Sequence, residues 1–257
     1  MALKIERLTF LRQACHPVLR FHGLGITCHR RNSSKSSPNA ECPEISVCGR
    51  TFPTDSWTNI TPRIISLTNR KLHLSQKHPL GLIKRRIVDF MYKKYDNHRG
   101  NPLFSVHENL SPVVNLHQNF DSLLVPRDHP SRKKSDSYYI NQDTMLRAHT
   151  SAHQTELISM GLDNFLVVGD VYRRDEVDAS HYPVFHQMEG VRLFEQLKFF
   201  DHVKGPKQHL QVFEAGVRTN DKQECHTLDS AKVVELDLKE CLLSLAKDLF
   251  GSGSIPT

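Results

Sequence analysis

The stretch Phe185-His186-Gln187-Met188-Glu189-Gly190 lies inside a mostly apolar run, Val184 to Phe194, that reads as a strand. Side chains alternate across a strand, so Gln187 and Glu189 share one face. Two polar groups on an otherwise apolar face need water, partners or a ligand. A carboxylate beside an amide acceptor suits the ammonium group of a ligand. Upstream, Phe165 to Val168 and then Gly169-Asp170-Val171-Tyr172-Arg173 read as a second strand ending at Arg173. An arginine fixed there can clamp a carboxylate or phosphate with paired N–H donors. The pattern equally admits a plain pairing of Arg173 with Glu189, or exposure of both to solvent.

Other residues have chemistry to offer but weaker patterns. Thr150-Ser151-Ala152-His153-Gln154 reads as a helix start, with Ser151 and Gln154 spaced as a capping box. A helix start also favours anionic groups. Arg132, Lys133 and Lys134 could attract phosphate, or could simply be a solvated run in a polar loop over residues 127–137. The six cysteines (15, 28, 42, 48, 225 and 241) contain no C-x-x-C pair, which argues against a zinc site and against a disulfide framework. The 16 histidines are scattered.

These residues must be carried by a small set of elements. The two apolar runs around residues 165–173 and 184–194, joined by the polar stretch RDEVDASHYP, predict an antiparallel hairpin with a long tip. Pro79 opens a helix with Leu80, Ile83, Ile87 and Phe90 on one stripe, ending near Tyr95. Residues 110–126 read as short strands and connections. Gly161 stops the helix begun near Ser151. A last helix runs from about Thr227, with Leu228, Ala231, Val234, Leu238, Leu242, Leu245 and Leu249 in register, to Gly251.

Charge is distributed unevenly. Residues 1–40 hold seven Lys/Arg against one acid, Glu6, whereas the remainder holds 27 of each sign. The net charge of +6 therefore belongs to the N-terminus and does not indicate a nucleic-acid surface on the body. An Arg-rich, Ser-rich, acid-poor leader with dispersed apolar residues fits an organelle transit peptide, with cleavage between Arg31 and Glu44. No run approaches the ~18–20 apolar residues that a membrane span needs.

The segments NFDSLLVPRDHPSRKKSDSYY, LRAHTSAHQ and GDVYRRDEVDASHYPVFHQMEGVRLF, in this order along the chain, resemble the class II phenylalanyl-tRNA synthetases of the single-chain mitochondrial type. The similarity runs from about Asn59 to Gly251. The resemblance implies an ATP-dependent ligase of the mitochondrial matrix. Such a ligase joins phenylalanine to ATP, with Mg²⁺ accompanying the phosphates, and passes the aminoacyl group from phenylalanyl-adenylate to mitochondrial tRNA(Phe). It implies that Arg173 holds the α-phosphate and the amino-acid carboxylate as the catalytic residue. Ser180, His181 and Tyr182 would then lie in the loop around the nucleotide. Gln187 and Glu189 would take the phenylalanine ammonium, with Met188 giving backbone between them, and Ser151, Ala152, His153 and Gln154 would line the other side. His149 is a lesser candidate there, and Arg174 with Asp175 could be a solvated pair. It also implies a monomer.

The fold expected is α+β: a class II synthetase-like, mainly antiparallel sheet flanked by helices. The domains expected are a disordered transit peptide and linker over 1–43, a partial catalytic domain over 44–251, and a tail over 252–257 outside the family. The family's third motif, a Gly-rich strand and helix whose arginine binds the ATP γ-phosphate, has no counterpart here. The sheet is therefore expected to be incomplete at its C-terminal end, with an open edge. The alternative is a truncated, non-catalytic product that at most binds ATP or phenylalanine weakly.

Overall fold

The computed structural model describes residues 43–97, 99–175, 177–179, 181–194 and 228–251, with the backbone of residues 3–9. In chain order the strands and helices are β1 (Leu3–Thr9), β2 (Glu44–Val47), β3 (Arg50–Pro53), α1 (Pro62–Leu67), α2 (Pro79–Lys94) and β4 (Ser105–His107). They continue with β5 (Val113–Asn115), α3 (Leu116–Asn119), β6 (Thr144–Leu146), α4 (Gln154–Ser159), β7 (Asn164–Tyr172), β8 (Val184–Arg192) and α5 (Leu228–Phe250). Helices and sheets are mixed as an α+β fold requires.

The hairpin is the centre of the molecule. β7 and β8 pair antiparallel over nine residues each, from Asn164↔Arg192 to Tyr172↔Val184. This confirms the strand–loop–strand reading. Every residue of β7 after Asn164 is buried, and only Phe185 of β8 is not. The sheet order is β1-β8-β7-β4, and both outer strands join parallel. The antiparallel pairs are β7/β8, β2/β3 and β5/β6.

Within residues 1–43, Leu3–Thr9 forms β1 along the outer edge of β8, with a register irregularity between Ile5 and Leu8. A long strand edge presents a row of unpaired N–H and C=O groups, and a short extended segment satisfies them. The expected cleavage region and the tail 252–257 lie outside the described residues.

One face of the hairpin is covered by two helices. α2 begins where Pro79 costs no hydrogen bond, with His78 Nδ1 accepting from the Leu80 amide at 3.2 Å. Its Ile87 and Met91 meet Phe104, Leu166, Val168 and Met188 from the sheet side, and Cys241 and Leu245 from α5. α5 ends as expected, at Gly251 with φ +84. Arg192 at the end of β8 grips Asp237 of α5 at 3.1 Å.

The rest of the chain builds a second core around Val47, Ile60, Ile64, Tyr138, Ile140, Leu146, Tyr172 and Val184. The β2/β3 hairpin there turns on Cys48 (φ 53) and Gly49 (φ 75). Two consecutive positive φ angles match the right-handed twist of the strands. The mixed reading of residues 110–126 resolves into β5 and then α3. Asn115 and Gln118 cap α3 reciprocally, with amide-to-side-chain bonds of 2.7 and 2.9 Å.

Candidate functional site

Gln187 and Glu189 point to one face of β8, as alternation requires, and both are buried, at 2% and 5% exposure. That face is roofed by the segment 147–154. Thr150 N–H donates to Gln187 Oε1 at 3.2 Å. The Thr150 and Ser151 hydroxyls both donate to Glu189 Oε2, at 3.1 and 2.7 Å. Hydrogen bonds to an ionised acceptor are the strong ones, so the roof and the strand are firmly joined.

This arrangement corrects the capping-box reading. Ser151 does not cap a helix: its hydroxyl crosses 38 positions of sequence to Glu189. The segment Thr150–His153 is a single 3-10 turn that leads into α4, and its cap position, His149, makes no side-chain cap bond. A carboxylate is a better acceptor for a hydroxyl than the local geometry is a donor site, so the tertiary partner wins.

Arg173 follows β7 directly, and its amide still bonds Pro183 O at 3.0 Å. Its Nε donates to Ala148 O at 3.0 Å, and its guanidinium lies 5.2 Å from the Phe185 ring centroid. It borders a cavity of about 520 Å³, together with Ala148 and His149 on one side and Phe120, Leu123 and Leu124 on another. Arg173 and Glu189 are thus tied to the same roof at two points three residues apart, Ala148 and Ser151 respectively.

The other expected residues divide. Met188 turns its side chain away, into the core beneath α2 and α5. Ala152 packs with Val114, Phe120, Tyr139 and Met145. Gln154 is buried at the start of α4. His181 and Tyr182 are exposed on the hairpin tip, where His181 is held by Asp178 through a 2.8 Å ring contact and a 2.7 Å amide bond. The hydrogen bond to Asp178 and then its charge raise the His181 imidazole above its ordinary value. Ser180 lies outside the described residues. Arg174 donates to Lys134 O at 2.7 Å, so it is a tether of the 127–137 loop. Arg132 is likewise engaged, on Asp121 Oδ1 and Val125 O, while Lys133 is exposed.

His153 is 4% exposed and contacts Arg147 Nη1 through its Nε2 at 3.0 Å. A guanidinium can only donate, so Nε2 is the acceptor and the ring is neutral. Burial, and then the Arg147 charge, hold the imidazole down at about 4. Arg147 also donates to Asp170 O at 2.7 Å and to Asp170 Oδ1 at 2.9 Å. Asp170 accepts a short bond from the Tyr172 hydroxyl. Burial alone would raise the Asp170 carboxyl, but Arg147 and the Tyr172 hydroxyl hold it below the usual carboxylate range. Burial works against the Arg147 charge, and the ionised Asp170 compensates it.

Arg147, Thr150, Asp170 and Tyr172 carry no role in the sequence reading. One signal was present: Gly169 stands alone inside an apolar strand, which marks close approach by another group. A Cβ there would lie 2.0 Å from Arg147 Nη2.

The family described as tRNA synthetases class II core domain (F) matches residues 64–247. The chain belongs to this family. It is 51% identical over 234 residues to the probable mitochondrial phenylalanine–tRNA ligase of Drosophila melanogaster, covering 85% of this chain and 50% of that one. It is 50% identical over 234 residues to the mitochondrial phenylalanine–tRNA ligase of Mus musculus, covering 88% of this chain and 52% of that one. Among solved structures it is similar to pyrrolysyl-tRNA synthetase from Desulfitobacterium hafniense, at 14% identity and a TM-score of 0.33, over 49% of this chain and 44% of that one. The synthetase-core chain spans about half the length of the curated relatives it matches. Within the synthetase core, no helix of the described residues is long and apolar enough to cross a membrane.

Proposed function

We propose that this chain carries the amino-acid-activating site of a mitochondrial phenylalanine–tRNA ligase, working in the matrix as a monomer on mitochondrial tRNA(Phe). The observation that carries the reading is the shared roof: Arg173 and Glu189 are fastened to one segment, 147–154, through Ala148 O and the Ser151 hydroxyl. An α-amino acid has a carboxylate and an ammonium group at a fixed short separation. A guanidinium and a carboxylate held on one support meet those two ends. The relatives named as phenylalanine–tRNA ligases supply the substrate class.

The chemistry follows from charge. The phenylalanine carboxylate attacks the α-phosphorus of ATP, pyrophosphate leaves, and phenylalanyl-adenylate forms. Negative charge on the attacking carboxylate and on the phosphoryl oxygens is met by Arg173, which lowers the barrier by position and electrostatics. Glu189 and Gln187 hold the ammonium, with Ser151 and Thr150 orienting the carboxylate of Glu189. Ala152 and Gln154 shape the roof from within the fold, and Met188 contributes backbone. The tip that carries His181 and Tyr182 folds over the nucleotide, and Ser180 is assigned to the same contact. Mg²⁺ arrives with ATP as part of the substrate. An ion of this kind is held mainly by the substrate phosphates.

The test is phenylalanine-dependent ATP–pyrophosphate exchange, run on this chain and on a version extended to the length of its relatives. Exchange by the extended protein, with phenylalanine and not with other amino acids, supports the reading. Exchange driven equally by another amino acid overturns the substrate, and no exchange with any amino acid overturns the activity. Silence of this chain beside an active extended protein identifies it as a binding-only product.

A further inference from the structure

Arg147 is 1% exposed, the least expected place for a guanidinium. Four groups hold it: Asp170 O, Asp170 Oδ1, His153 Nε2 and, at 3.4 Å, Leu110 O. Its Nη2 occupies the space that a side chain at position 169 would fill. Its own backbone is also engaged, with the carbonyl accepting from Tyr172 N at 2.9 Å and the amide donating to Pro112 O at 2.9 Å. A buried cation so enclosed is costly to install and needs a reason.

The reason lies in what it joins. The roof segment 147–154 begins at residue 147 itself, and Arg147 bonds His153 near its other end, closing the segment on itself. It then bonds Asp170, fixing the closed segment to β7 three residues before Arg173. The two ends of the proposed amino-acid subsite hang from that segment: Arg173 through Ala148 O, and Glu189 through the Ser151 and Thr150 hydroxyls. We infer that Arg147 is a positioning residue that sets the separation between the carboxylate-binding and ammonium-binding ends of the subsite. It touches no substrate. It acts through the roof, and it rests on the reading above that Arg173 and Glu189 meet the two ends of one amino acid.

A gauge has a signature that a simple support lacks. It affects ligands that use both ends and spares ligands that use one. The experiment uses the full-length protein in ATP–pyrophosphate exchange, with two competitive inhibitors. Phenylalaninol has the ammonium without the carboxylate, and hydrocinnamate has the carboxylate without the ammonium. The variants are His153→Met, which removes the nearer of the two acceptors for Nη1, and His153→Gln, whose amide oxygen can restore it. Asp170→Asn tests the other anchor, and circular dichroism confirms which variants fold.

His153→Met is expected to raise the KM for phenylalanine by about tenfold, a coupling of ordinary size for a shared network. The inhibition constants of the two one-ended compounds and the KM for ATP are expected to move less than about twofold. His153→Gln is expected to return most of the loss. If the KM for phenylalanine and both inhibition constants shift together, or none shifts, Arg147 is only a structural support and the inference falls. If the unaltered protein exchanges with no amino acid, the reading of the subsite fails first and the inference falls with it. Exchange by the unaltered protein with unchanged variants overturns the inference alone.

Discussion

Glu189 receives two hydroxyl donors on one oxygen while lying 5% exposed, and that arrangement keeps it aimed. Its proposed partner is a cation, so neutralising it should weaken phenylalanine specifically. Glu189→Gln is expected to raise the KM for phenylalanine by roughly thirtyfold, on the order of 2 kcal/mol, the usual worth of a hydrogen bond to a charged group. A KM split between phenylalanine and ATP in pyrophosphate exchange measures this, and a matched rise for both would assign Glu189 to general folding. The role proposed for Arg173 belongs to the transition state. Arg173→Ala is expected to lower adenylate formation by about 10²–10³, on the order of 3–4 kcal/mol. Single-turnover kinetics at saturating ATP and phenylalanine checks it, and near-normal turnover would mean the clamp is elsewhere. The placement of both was legible: Glu189 stands two positions from Gln187 on an apolar strand, and Arg173 closes the apolar run before it. Arg147 was not legible: an arginine after a leucine reads as solvent-facing until the partners at Asp170 and His153 are known.

At the scale of elements, α2 and the β7/β8 hairpin were readable because their apolar periods, three to four and near-continuous, are local properties of the chain. The roof was not readable for the opposite reason. Ser151 and Gln154 have the spacing of a cap, but Glu189 lies 38 residues away and claims the hydroxyl. β2 and β3 were missed because four-residue strands carry too little pattern to stand out. Between β7 and the roof, the tight point is Gly169. A methyl group there would meet Arg147 Nη2 at 2.0 Å, and that nitrogen cannot yield without loosening Asp170. Gly169→Ala is therefore expected to destabilise the fold by about 3 kcal/mol, between overpacking and the loss of a buried pair. Urea unfolding of the two proteins provides the measurement, and a difference under about 0.5 kcal/mol would show that the guanidinium relocates freely.

For the whole molecule, burial of imidazoles sets the response to acid. Burial, and then Arg147 and His73 respectively, hold His153 and His186 at about 4 in the fold, against an unfolded value near 6.5. Among the described residues neither ring nitrogen of His186 has a hydrogen-bond partner, and its ring lies 5.3 Å from that of His73. Between these values the unfolded chain binds protons that the native state refuses, so stability rises with pH. The contribution is fully present above about pH 6.5 and is lost progressively toward about pH 4. Asp170 acts lower, its contribution being lost only as pH falls below the ordinary carboxylate value. A loss of about 1–2 kcal/mol per histidine between about pH 7.5 and pH 5 is expected in urea midpoints, and an unchanged midpoint would show that the pair is solvated. β8, finally, serves the α2/α5 core with Met188 and the polar face beneath the roof with Gln187 and Glu189, in strict alternation. Losing or gaining one codon inside the strand would exchange the two sets, driving Glu189 into the core. The tip between Arg173 and Pro183 lies beyond the last rung of the ladder, where extra residues alter loop closure by only fractions of a kcal/mol. Length variation among descendants of this gene is thereby channelled into the tip and barred from the strand.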